Sequence, residues 1–181
     1  MPLDSDLAAK LLSRVRDVPD FPQPGVVFKD ITPLLAHHES FAAVVQGLAA
    51  PYTGREIDLV AGIEARGFVL GAPVALALGA GLTLVRKKGK LPGETVEATY
   101  DLEYGSATIE VTSDAFGAGA RVLVVDDVLA TGGTAAATVE LVRRFGAEVV
   151  GVSFLLELGF LGGRAALSGV GVHDPGVLLT V

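Results

Sequence analysis

The 181-residue sequence predicts a single α/β domain, residues 1–181, with a central, mainly parallel sheet flanked by helices. Three observations carry this expectation. Strand-like segments alternate with helical ones along most of the chain. The strand segments are almost continuously apolar, as strands covered on both faces are. No repeat, low-complexity tract or linker divides the chain.

Leu7 to Val15 has apolar residues at helical spacing behind Asp4, Ser5 and Asp6, which suit an N-cap, and Pro19 marks the end of that helix. Phe21-Pro22-Gln23-Pro24-Gly25 reads as a shaped loop, because its two prolines lack donors and bias their neighbours toward extended backbone. A second helix is predicted from Glu39 to Ala50, then a turn near Tyr52 to Gly54 and a strand over Asp58 to Ile63. A helix from Phe68 to Leu78 leads into a strand from Leu82 to Arg86. Lys87 to Glu97 has no apolar rhythm and holds three lysines, two glycines and a proline, so it reads as an exposed, mobile loop. A hairpin of Ala98–Tyr104 and Ala107–Val111 about Gly105-Ser106 follows. Arg121 to Asp126 is the clearest strand and passes through a Gly-rich turn into a helix from Thr134 to Phe145, closed by Gly146. Val149 to Leu156 is another buried strand, and a last helix and strand end at Val181.

Composition narrows the functional classes. Fourteen Lys and Arg against 21 Asp and Glu give a net charge of -7, so a nucleic acid or an anionic membrane would on average be repelled. The absence of cysteine excludes disulfides, thiolate zinc sites and a cysteine nucleophile. The start, MPLDSDLAAK, has no basic region ahead of an apolar core, so a cytoplasmic location is expected. Phe68 to Val85 is uncharged and long enough to span a membrane, but Gly71, Pro73, Gly79 and Gly81 punctuate it and divide it into a helix and a strand. His37, His38 and His173 have no metal-ligand spacing.

In open parallel sheets ligands sit beyond the carboxyl ends of the strands, which directs attention to the loops after Ile63, Arg86 and Val125. The run from Val124 through Asp126, Asp127, Ala130, Thr131, Gly132 and Gly133 to Thr134 passes from a strand to a helix start. Two glycines admit a phosphate close to the backbone, amides and threonine hydroxyls can point at it, and the helix dipole favours its charge. The Gly-Lys-Ser/Thr ending of a Walker A loop is absent. Two carboxylates beside a phosphate cradle make sense if they accept from sugar hydroxyls, so the loop suits a pentose 5-phosphate. The alternative is an ordinary strand-to-helix turn capped by Asp127. Arg66 stands in another strand-to-helix loop where a guanidinium can bind a phosphate, and Arg86, Lys87, Lys88 and Lys90 reverse the sign of an acidic chain locally. Against this stands a solvated basic loop.

The loop from Val124 to Thr134 resembles the phosphoribosyl pyrophosphate (PRPP) signature of the type I phosphoribosyltransferases. Three further blocks resemble the adenine-specific members: Asp20 to Asp30, Glu64 to Phe68 and Tyr100 to Gly105. The resemblance implies a type I phosphoribosyltransferase fold with a mobile β-hairpin lid at about 87–110 and a small base-binding hood to which residues 20–30 contribute. It implies a cytoplasmic homodimer that makes AMP and pyrophosphate from adenine and PRPP with Mg2+ held mainly by the substrate's diphosphate. Asp126, Asp127, Ala130 to Thr134, Arg66, Arg86, Lys87 and Lys90 would then bind PRPP. Phe28 would stack on adenine, backbone groups of Val27 and Lys29 would read its edge, and Leu158 would complete the pocket. Glu103, Arg66 and Tyr104 would serve catalysis. Lys29 stands where many relatives have arginine. Core packing for Phe28, a non-catalytic PRPP sensor, and a phosphoribosyltransferase for another base are the alternatives the residues leave open.

Overall fold

The computed structural model describes residues 4–101 and 105–181. Helix α1 (Ser5–Leu12) opens the fold, with the Asp4 carboxylate accepting from the Asp6 amide at its start. Strands β1 (Arg16–Pro19) and β2 (Val27–Asp30) form a separate antiparallel ribbon, with Val18 opposite Phe28. Segments of four residues are too short to show alternation in the sequence. The ribbon is instead pinned by ion pairs, Arg16 with Asp30 at 2.9 Å and Lys29 with Asp17 at 2.7 Å.

After α2 (Thr32–Leu35) and α3 (His38–Ala49) come β3 (Leu59–Ile63), α4 (Arg66–Leu78) and β4 (Gly81–Lys87). A hairpin of β5 (Thr95–Asp101) and β6 (Ser106–Thr112) follows, then β7 (Arg121–Leu129), α5 (Gly133–Arg144), β8 (Glu148–Glu157), α6 (Gly163–Gly169) and β9 (Gly176–Thr180). The seven-stranded sheet has the order β5-β6-β4-β3-β7-β8-β9. Its five strands from β4 to β9 are parallel, and the hairpin adds an antiparallel edge. The α/β expectation therefore holds. The segment 68–85 divides into α4 and β4, and no helix among the described residues is long and apolar enough to cross a membrane.

Several boundaries differ from the sequence expectation. Helix α1 spans Ser5–Leu12 rather than Leu7 to Val15, and Pro19 ends strand β1 rather than that helix. Thr95 to Glu97 belong to β5, so the irregular segment covers only residues 88–94. Ser106 pairs with Asp101 and lies in β6 rather than in the turn. Strand β7 runs on to Leu129, so Asp126 and Asp127 are strand residues, with Asp126 opposite Phe154.

Both faces of the central strands β3, β7 and β8 are largely buried, which explains their uninterrupted apolar runs. Ala61, Val122 and Val124 face a core shared with α5, while Val60, Leu123 and Val125 face a core shared with α1, α3 and α4. The connection from β3 to β4 passes over the second face and the one from β7 to β8 over the first. Their loops therefore diverge at the carboxyl ends of β3 and β7, and that divergence opens a crevice.

The segment 88–94 is held from below by Glu110 of β6. This carboxylate is buried between Ile109 and Val111 and accepts from the amides of Lys90 at 2.8 Å and Leu91 at 2.9 Å. Burial alone would raise its pKa, but the amides of Leu91, Gly89 and Lys90 outweigh it and hold the carboxyl below its usual range. Glu110→Ala leaves the half-buried Lys90 and Leu91 amide contacts without their acceptor. We expect a loss of about 1–3 kcal/mol in urea unfolding, with Glu110→Gln losing less because its amide oxygen still accepts.

Candidate active site

The crevice is a cavity of about 340 Å³ at the carboxyl ends of β3, β4 and β7. Its walls bring together Val27, Phe28, Lys29, Arg66, Lys87, Asp126, Asp127, Ala130, Thr134 and Leu158, residues spread over most of the chain. A smaller adjoining hollow of about 70 Å³ is lined by the backbone and side chains of Ala130 to Thr134.

Asp126 and Asp127 reach the cavity because β7 extends past its neighbour β3, whose last pair with it is Gly62 opposite Val125. Asp126 keeps an opening to the cavity but is otherwise enclosed by protein. Burial first, and the neighbouring Asp127 charge second, push its carboxyl well above its ordinary pKa, with Arg66 acting in the opposite sense. Its Oδ1 accepts from the Asp127 amide at 2.8 Å. Asp127 pairs with the Nε of Arg66. Gly67 is required beside this pair, since a Cβ there would stand 2.8 Å from Asp126 Oδ1 and 2.9 Å from the Val125 carbonyl.

The glycine-threonine loop leaves the start of α5 without a side-chain cap and open to the hollow. Gly132 caps α5 at φ 82°, a left-handed conformation that favours glycine, and no side chain satisfies the first amides of the helix. The loop backs directly onto the backbone at Gly163, which also has no room for a side chain. Thr134 donates its hydroxyl to Tyr100 at 2.8 Å.

Phe28 lines the cavity rather than the core. Phe21 meets it edge-on with ring centroids 5.2 Å apart, and the Arg66 guanidinium carbon lies 5.2 Å from its centroid. One guanidinium thus bridges the carboxylate pair and the aromatic platform. Lys29 directs its Nζ to Asp17, a single-point contact that needs no bidentate fork.

The basic cluster divides. Lys87 faces the cavity. Arg86 is not among the lining residues; it donates to Glu64 at 3.2 Å and to the Lys90 carbonyl at 2.9 Å, and lies 6.0 Å from the Phe68 ring centroid. Lys88 pairs with Glu97, and Lys90 is exposed outside the cavity wall. Glu103 and Tyr104 lie outside the described residues. Tyr100, Glu64 and Glu110 had no assigned role in the sequence. The signal for Glu110 was an acid inside an apolar run, and for Tyr100 its two-residue spacing from the buried Ala98. Among the described residues no three His, Asp or Glu side chains are grouped to hold a metal ion.

Residues 33–159 match the family model described as the phosphoribosyl transferase domain, and with this fold and cavity the chain is a phosphoribosyltransferase by class. Relatives narrow the class. The adenine phosphoribosyltransferase of Thermobifida fusca is 59% identical over 93% of this chain and 96% of its own, and that of Streptomyces coelicolor 64% identical over 87% and 86%. The crystal structure of the Rhodothermus marinus adenine phosphoribosyltransferase superposes with a TM-score of 0.92 at 49% identity, covering 98% of this chain and 100% of that one. The Saccharomyces cerevisiae enzyme, solved with D-2,5-dideoxy-2,5-imino-altritol 1,6-bisphosphate and adenine, gives 0.86 at 38% identity, covering 97% and 99%. This chain belongs to the adenine phosphoribosyltransferase family.

The raised pKa of Asp126 has a consequence for stability. Below the ordinary carboxylate pKa of about 4 the group is protonated whether the chain is folded or not. As pH rises past that value the unfolded chain ionises first, so stability falls until the folded group has ionised too. Asp126→Asn removes this penalty and keeps an oxygen to accept from the Asp127 amide. Its thermal midpoint at neutral pH is expected above that of the parent, with the gap closing below pH ~4, while the loss of a charged acceptor lowers kcat/KM by roughly 10- to 100-fold.

Proposed function

We propose that the chain transfers the 5-phosphoribosyl group of PRPP to adenine, giving AMP and pyrophosphate in purine salvage. The observation that carries this reading is one cavity holding a carboxylate pair, a phosphate cradle and an aromatic platform, with Arg66 between them.

The 5-phosphate sits in the Ala130–Thr134 loop against the start of α5, and the ribose hydroxyls donate to Asp126 and Asp127. Adenine stacks on Phe28 with Leu158 beside it. Its amino group donates to a backbone carbonyl and its N1 accepts from a backbone amide of the Val27–Lys29 strand. A 6-oxopurine reverses both partners and leaves buried groups unpaired. Arg66 leaves Asp127 and the Phe28 face to meet the diphosphate, joined by Lys87. Arg86 and Lys90 act here chiefly by shaping that segment, Arg86 through Glu64 and the Lys90 carbonyl, Lys90 through its amide on Glu110.

In the reaction the bond from C1 to the diphosphate oxygen breaks with its electron pair leaving on pyrophosphate, and N9 of adenine bonds to C1. Positive charge builds on the sugar, close to Asp126 and Asp127. The purine loses its N9 proton, for which Glu103 is the proposed acceptor, through N7 or N9, with Tyr104 supporting the closed hairpin. Magnesium would be held mainly by the substrate's diphosphate, and when bound it would supply charge neutralisation at the leaving group.

The working unit we propose is a cytoplasmic homodimer. Supporting this, Val69 and Leu76 lie two helical turns apart on α4, and Leu82 and Leu84 share a face of β4; all four are exposed, Leu76 by 83%.

The first test mixes purified protein, magnesium and PRPP with adenine, hypoxanthine, guanine, xanthine or uracil, and follows nucleotide by chromatography. AMP from adenine alone is expected; product from another base overturns the pocket reading, and PRPP binding without product overturns catalysis. Glu103→Gln is expected to lower turnover by roughly 100-fold or more, and unchanged turnover removes it from the mechanism. Leu76→Asp is expected to shift the light-scattering mass from dimer to monomer.

A further inference from the structure

We propose that the Tyr100 hydroxyl is a positioning group that couples occupancy of the 5-phosphate cradle to placement of the β5–β6 hairpin over the ribose. The proposal rests on the phosphoribosyl reading above and adds a residue to which that reading gives no part.

The geometry begins with β5, which lies along α5 and is fastened to it at two places. Near the carboxyl end of α5, Arg144 Nη1 donates to the Glu97 carbonyl at 2.8 Å. Near its amino end, the Thr134 hydroxyl donates to the Tyr100 hydroxyl at 2.8 Å. Between them Ala98 is buried in the core shared with α5. The two fastenings differ in their surroundings. Arg144 and Glu97 lie away from the cavity, whereas Tyr100 and Thr134 both line it. Tyr100 is also next to Asp101, the last described residue before the hairpin tip and the partner of Ser106.

The chemistry of the pair makes it responsive. A threonine hydroxyl has one proton and two lone pairs, and a tyrosine hydroxyl can donate as well as accept. A phosphate in the cradle accepts and so claims the Thr134 proton. Thr134 Oγ1 then has a lone pair for the Tyr100 proton, and the bond persists with its direction reversed. The resulting relay, tyrosine to threonine to phosphate, ends on an anion, and charge-assisted bonds are roughly twice as strong as neutral ones. Filling the cradle therefore tightens the fastening of β5 to α5 at the end nearest the hairpin tip. An empty cradle leaves a weaker, neutral pair. No atom of Tyr100 need touch the phosphate.

The test compares Tyr100→Phe, which keeps the ring and its packing, with the parent. Ribose 5-phosphate binding is followed by calorimetry, and kcat and KM are measured for both substrates. The variant is expected to bind ribose 5-phosphate roughly threefold to tenfold more weakly, to raise the PRPP KM by a similar factor and to leave the adenine KM unchanged. In a Thr134→Val background Tyr100→Phe is expected to add nothing, because the hydroxyl acts through Thr134. Unchanged ribose 5-phosphate affinity, or effects of the two substitutions that multiply, would overturn the proposal. Should Tyr100→Phe not fold, hydrogen exchange of the 95–101 amides decides. Ribose 5-phosphate is expected to slow it in the parent and not in Thr134→Val, and equal slowing in both overturns the coupling. Ribose 5-phosphate binding without AMP formation would sink the catalytic reading and leave this coupling measurable.

Discussion

The constraint on which the rest of the structure depends is the placement of two consecutive carboxylates, Asp126 and Asp127, inside a cavity wall. Two like charges about 4 Å apart repel by about 4 kcal/mol at the dielectric of a protein near its surface, several times the worth of an exposed ion pair. The fold offsets this with several partners at once. The Asp127 amide turns back on Asp126, Arg66 takes Asp127, and Asp126 is driven toward its protonated form. The absence of a side chain at Gly67 lets the α4 backbone close over the pair. A site held this way is poised for a ligand that brings hydroxyl donors to the carboxylates and phosphates to the arginine, since both then gain a better partner than they have in the free protein.

The sheet topology explains why these partners meet. Helices α4 and α5 leave β3 and β7 toward opposite faces, so the Arg66 loop and the 130–134 loop approach from two sides of one crevice. Close approach needs small residues, and Gly67, Gly132 and Gly163 stand where a Cβ would meet neighbouring backbone. At the other end of the same two strands Arg121 binds Asp58 and Glu56, closing the amino ends of β3 and β7 together. The carboxyl ends thus hold the tight glycine contacts and the start of α5 that no side chain caps, while ion pairs tie the amino ends together.

The parallel core was legible because both faces of its central strands are buried, which writes near-continuous apolar runs such as Val122 to Val125. The loop from Asp126 to Thr134 was legible as a candidate site because its distinctive residue types fall in one contiguous stretch, and the structure places that stretch at the cavity. The β1–β2 ribbon was not, since two four-residue strands carry no period and their register is set by ion pairs across the ribbon. The roles within the basic cluster were equally hidden. A lysine or arginine looks the same in sequence whether it faces a ligand, as Lys87 faces the cavity, or holds its own chain, as Arg86 holds Glu64 and the Lys90 carbonyl. Only the partner distinguishes them, and the partners lie up to 22 residues away.

That division has a further consequence for how the site handles a diphosphate in a chain of net charge -7. Of the four cations from Arg86 to Lys90, Arg86 and Lys88 are committed to Glu64 and Glu97, and Lys90 is turned to solvent. Lys87, Arg66 and Lys29 border the cavity, but Arg66 is borrowed from Asp127 and Lys29 is paired with Asp17. Positive charge at the leaving group is therefore scarce in the free protein and must be assembled as the substrate arrives. The segment 88–94 cannot assemble it by swinging freely, because Glu110 grips the Lys90 and Leu91 amides from within the sheet. What remains able to respond is the Arg66 side chain and the Tyr100–Thr134 contact at the end of β5. Each rests on a hydrogen bond to a group that the substrate itself would claim, Asp127 in one case and Thr134 in the other. On the proposed reading, substrate binding and completion of the site would be one event, driven by the exchange of those two bonds for stronger ones.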